Sequence, residues 1–73
     1  MPHITIKVYP DVTEEQKQQL ATNITKEVMA ITGKPEIYIT IAIIDVPEEK
    51  WMEEVYNSEI KPNTDSLYKK PGY

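Results

Sequence analysis

Apolar and polar residues alternate from His3 to Tyr9, with Ile4, Ile6 and Val8 on one side and His3, Thr5, Lys7 and Tyr9 on the other. That period of two predicts a half-buried strand, and Pro10-Asp11-Val12 ends it. From about Glu14 to Ile31 the period changes. Leu20, Ala21, Ile24, Val28 and Ile31 recur at three- and four-residue spacing, which predicts a helix with one buried stripe and with Lys17, Gln18, Thr25 and Lys26 lying away from it. Thr13 followed by Gln16 has the spacing of a capping box, and Glu14 and Glu15 stand where the positive end of a helix dipole favours acid. Gly33 is placed to take the left-handed conformation past the helix end, with Pro35 preventing continuation. The run from Ile37 to Ile44 is rich in β-branched residues and predicts a second strand whose odd-numbered face is all isoleucine.

Strand, helix and strand joined by short connections form a β-α-β unit, whose strands are expected to run parallel with a right-handed crossover. The fold class expected is therefore α+β, a single β-α-β unit with short C-terminal helical segments, residues 1–73 forming one domain. The helix stripe covers one sheet face, while Tyr38, Ala42 and Ile44 remain on the other. Parallel strands are normally covered on both faces, and a two-stranded sheet leaves both edges unpaired. Both features predict a sheet completed by oligomerisation. After Val46, Pro47 at a first helical position followed by Glu48 and Glu49 predicts a short helical turn delivering Trp51, extended by Glu53, Glu54, Val55 and Tyr56. Pro62 interrupts, and Asn63 or Thr64 is positioned to cap a last short helix through about Lys70.

Composition narrows the function. A net charge of −4 over 73 residues argues against general affinity for nucleic acid or anionic membrane. Without cysteine, and with His3 as the single histidine, no thiol chemistry and no metal motif is present, so no cofactor is expected. No signal-peptide pattern or long apolar run occurs, and a cytoplasmic location is expected.

The chemistry centres on the first residues. Pro2 is small enough to permit removal of Met1, which would leave its nitrogen a free secondary amine; with Met1 retained the same nitrogen is a non-basic amide. Taken alone, Pro2 also reads as a strand-starting proline whose missing N–H costs nothing at a sheet end. Pro2 opening a strand, the helix start Thr13-Glu14-Glu15-Gln16-Lys17, Pro35 before an apolar strand and Trp51 after it together resemble the 4-oxalocrotonate tautomerase family. The opening Pro2-His3-Ile4 and the ending Lys69-Lys70-Pro71-Gly72-Tyr73 look more specifically like its small dimeric PptA-type branch.

The resemblance implies a keto–enol tautomerase in which the amino-terminal proline serves as general base and then acid on an enol or dienol 2-keto acid. By the same match Trp51 corresponds to an aromatic wall of the proline pocket, a role shared with ordinary interface packing. His3, Tyr38 and Thr40 are the candidate hydrogen-bonding groups for the substrate, and each reads equally as a plain strand residue. Family members grip substrate carboxylates with arginine, and this chain has none. Asp11 or Val12 and Thr40 occupy the matching positions. Lys7, Lys34 and the Lys69–Lys70 pair are the available cations, although lysine does not reproduce the planar fork of arginine. The expected substrate is therefore a monoacid such as phenylpyruvate enol, and the expected partner is a second copy in a homodimer, with a higher oligomer open. The alternative is a non-catalytic oligomerising or ligand-binding module of the same fold.

Overall fold

A computed structural model describes all residues from Met1 to Tyr73. Strand β1 (His3–Val8) leads into helix α1 (Glu14–Thr32), a 3₁₀ turn (Glu36–Tyr38) and strand β2 (Thr40–Asp45). Helix α2 (Glu48–Trp51) then runs into a π-helix (Met52–Ile60) and a 3₁₀ stretch (Lys61–Ser66). The two strands pair in parallel, with His3 opposite Thr40, Ile4 opposite Ile41, Ile6 opposite Ile43 and Val8 opposite Asp45. This is the expected β-α-β unit.

Local signals set the limits of α1. Thr13 Oγ1 accepts from the Gln16 amide at 3.1 Å, and the Thr13 amide donates to Gln16 Oε1 at 2.9 Å, closing the capping box. At the other end Gly33 adopts φ 72° and ψ 8°, and its N–H reaches the Met29 carbonyl at 2.9 Å. A side chain at that φ would be strained, which is why glycine stands there.

Strand β2 starts later than the apolar run predicts. Pro35 directs the chain into a 3₁₀ turn in which the Tyr38 amide donates to Pro35 O at 3.2 Å and the Ile39 amide to Glu36 O at 3.0 Å. Ile37 is 81% exposed and lies outside the sheet. The register supplies the reason: Thr40 already pairs with the first residue of β1, so residues before Thr40 have no strand beside them.

The helix face of the sheet carries Ile4, Ile6, Ile41 and Ile43, and Lys17 reaches it as well, with its ammonium 2.9 Å from Asp45 Oδ1. Lys17 and Thr25 are half-buried rather than turned away, whereas Ile31 is 78% exposed. The half-buried stripe thus takes in Lys17 with Ala21, Ile24 and Val28, since the aliphatic stem of Lys17 can cover apolar surface while its ammonium reaches Asp45 at the end of β2. The opposite face carries His3, Thr5, Lys7, Thr40, Ala42 and Ile44, and an ion pair between Lys7 and Glu59 ties the π-helix to it.

The carboxyl-terminal part also departs from expectation. No helix continues to Lys70; helical structure ends at Ser66, and the Lys70 ammonium donates to the carbonyl of Thr64 at 3.0 Å. From the end of α2 through the π-helix the inward residues are Trp51, Val55, Tyr56 and Ile60. Their four- to five-residue spacing matches i→i+5 bonding and would drift off one face of a 3.6-residue turn. Across the whole chain only Val46 and Val55 are buried, each 5% exposed.

Candidate active site

Parallel pairing brings the beginnings of β1 and β2 to one end of the sheet. Pro2 lies there, half-buried, with its carbonyl accepting from the Thr40 amide at 3.1 Å. Met1 extends beyond it and is 90% exposed. The same Thr40 holds its neighbour: Thr40 Oγ1 is 2.6 Å from His3 Nδ1, and Thr5 Oγ1 is 3.3 Å from His3 Nε2. A hydroxyl both donates and accepts, so the two threonines satisfy the ring in either tautomer and fix its plane. Tyr38, 44% exposed, sits in the turn just before Thr40. The structure therefore brings Pro2, His3, Thr40 and Tyr38 to one end of the sheet.

Trp51 is elsewhere. Its ring meets Tyr9 edge to face, with centroids 5.2 Å apart and planes at 88°. Tyr9 lies past the far end of β1, and at about 3.3 Å per residue the strand separates it from Pro2 by roughly 23 Å. Within one chain Pro2 and Trp51 do not share a pocket.

Trp51 instead lines an open groove of about 550 Å³ with Val8, Tyr9, Asp11, Val12 and Met52, closed on one side by Tyr73 from the tail. Tyr73 also leans on Tyr56, with ring centroids 5.8 Å apart. Sequence reasoning missed this groove, since Tyr9, Trp51 and Tyr73 are brought together only by the fold. The one local signal was an aromatic, Tyr9, at the end of the polar side of β1.

Two of the four lysines named as available cations are already engaged. Lys7 pairs with Glu59, and Lys70 is bonded to backbone carbonyls. Lys34 and Lys69 form no ion pair.

Comparison with known proteins decides what this β-α-β unit belongs to. The family model described as Tautomerase enzyme matches residues 2–56, which run from the proline through β1, α1, β2, α2 and into the π-helix. The chain belongs to the tautomerase family. Full-length relatives agree. A Tautomerase PptA of Cronobacter sakazakii (strain ATCC BAA-894) is 38% identical over 74 residues, covering 100% of this chain and 97% of the relative. A Tautomerase PptA of Klebsiella pneumoniae (strain 342) is 39% identical with the same coverage, and a Probable tautomerase of Xylella fastidiosa (strain 9a5c) is 34% identical over 100% of this chain and 89% of its own length. The resemblance to the 4-oxalocrotonate tautomerase family and its PptA-type branch is thereby borne out, and with it an isomerase of the tautomerase class rather than a non-catalytic module. No helix of this tautomerase is long and apolar enough to cross a membrane.

Proposed function

We propose that this tautomerase, once Met1 is removed, uses the secondary amine of Pro2 as general base and then general acid on the enol of a monoacid 2-keto compound such as phenylpyruvate. The observation that carries the reading is the placement of Pro2. Its carbonyl is anchored to Thr40 while Met1 projects into solvent, so losing Met1 exposes the amine without breaking a sheet hydrogen bond.

The proline nitrogen takes the enol O–H proton, the C=C electrons move toward C3 as the carbonyl forms, and the prolinium N–H returns a proton to C3. The amine ends as it began, and its rigid ring keeps the lone pair in one direction throughout. Tyr38 is a candidate donor to a substrate oxygen at this end, and His3 becomes one where that oxygen displaces the longer, 3.3 Å contact of its ring with Thr5. A chain without arginine offers no bidentate grip for two carboxylates, which favours a substrate with one.

The separation of Pro2 from Trp51 supports a homodimer. If two copies lie antiparallel to one another, the Pro2 end of one chain meets the Trp51 end of its partner, and each proline gains an aromatic wall. Exposed edges on both strands and a nearly unburied interior favour the same arrangement. The cytoplasm, where initiator methionines are removed, is the compartment that fits.

The test is ketonisation of phenylpyruvate enol by protein whose intact mass shows Met1 absent, compared with its Pro2→Ala variant. General acid–base catalysis of this kind contributes about 10²- to 10⁴-fold, and a loss of that size is expected. Equal rates for the two proteins would refute the proline mechanism.

A further inference from the structure

The groove beside Trp51 has an electrostatic character that the proline chemistry does not require. Two of its walls, Tyr9 and Trp51, meet at 88° and form an aromatic corner. The only charged side chain lining it is that of Asp11. That carboxylate takes no part in either ion pair of the chain, so no cationic side chain is paired with the charge at the groove.

Aromatic faces attract cations through their quadrupoles and gain nothing from an anion, and a free carboxylate acts with the same sign. A ligand placed in the corner therefore meets negative potential from both kinds of wall. The volume of about 550 Å³ leaves room for a substituted phenyl ring.

We propose that the Tyr9–Trp51–Asp11 groove is a charge-selective ligand site, accepting an aromatic ring whose far end is neutral or cationic and rejecting one that carries a second carboxylate there. As a statement about substrate it rests on the proposed reaction, and it narrows the substrate class beyond the count of carboxylates: the distal substituent is selected by sign. Asp11 is then a specificity-determining residue.

Trp51 is the sole tryptophan, so its fluorescence reports occupancy of this groove directly. Three unreactive ligands serve as probes: 3-phenylpropanoate, its para-carboxylate analogue and its para-trimethylammonium analogue. Titrated into the full chain at low salt, the dicarboxylate is expected to bind about tenfold more weakly than the parent and the ammonium compound about tenfold more tightly. Both gaps should narrow as salt shortens the range of the Asp11 field. Asp11→Asn is expected to compress the ranking to within about threefold, while Asp11→Glu preserves its order; far-UV circular dichroism checks that both variants fold.

Equal affinities for the three ligands, a ranking that survives in Asp11→Asn, or no fluorescence response to any of them overturns the proposal. A wild-type ranking that collapses in Asp11→Asn supports it even if Pro2→Ala leaves ketonisation unchanged; that combination overturns the proline mechanism alone.

Discussion

Dilution is the perturbation that bears most directly on how this small chain becomes stable. A compact monomer of 8.5 kDa exposes about 4,650 Å². This chain exposes 5801 Å². The excess of roughly 1,150 Å² exceeds the ~800 Å² that each partner contributes to a standard interface. Among the exposed apolar side chains are Ile37 at 81%, Ile31 at 78% and Met52 at 53%, so apolar surface is available for burial. If folding and pairing are one event, thermal unfolding converts a dimer into two unfolded chains and Tm depends on concentration. Unfolding two chains of 73 residues carries an entropy of about 0.3 kcal/mol/K near the midpoint. A tenfold dilution is worth about 1.4 kcal/mol of association free energy, so Tm should fall by about 5 °C per tenfold dilution. Scanning calorimetry at high concentration and fluorimetry of Trp51 at low concentration, from about 100 µM to about 1 µM, should therefore show a decrease of about 9 °C. A Tm constant across that range, with a sedimenting mass of one chain, would refute the reasoning.

Two substitutions probe the chain from inside. Val55→Ala removes two methyl-sized groups from one of the two buried positions and is expected to cost about 2–3 kcal/mol, read as a Tm lowered by roughly 10 °C or more. Thr40→Val keeps the backbone bond to Pro2 but deletes the hydroxyl that holds His3; it should shift the ring-nitrogen resonances of the only histidine and slow ketonisation about threefold to tenfold, with stability changed by no more than about 1 kcal/mol. Unaltered ring resonances would show that the hydroxyl does not orient the ring in solution.

Helix α1 was legible because each of its boundaries is written within four residues, by Thr13 with Gln16 and by Gly33. The start of β2 was not, because strand propensity is a property of side chains whereas strand extent depends on where the partner strand begins. The inward turn of Lys17 escaped the hydrophobic pattern for a similar reason: its ammonium is held by Asp45, 28 residues later, and no local period encodes that pairing. In the site, the Pro2 end could be read from the first residues and the parallel pairing they imply. The far groove could not, since it gathers Tyr9, Trp51 and Tyr73 from three separate parts of the chain. Placing Trp51 with Tyr9 also bears on its proposed role as a wall of the proline pocket, which would then be supplied by a second copy.

The i→i+5 winding from Met52 to Ile60 makes that segment sensitive to length more than to spelling. Its outward residues, among them Glu53, Glu54 and Asn57, form one exposed side where exchange for other polar residues disturbs little. Removing a single residue is different in kind. An α-helix turns by about 100° per residue and this wider winding by somewhat less, so a deletion would swing everything downstream around the axis, taking Glu59 from Lys7 and Ile60 from the inner side at once. Insertions and deletions among natural variants should accordingly cluster outside this stretch, after Ser66 or between β1 and α1, where no repeating ladder counts residues.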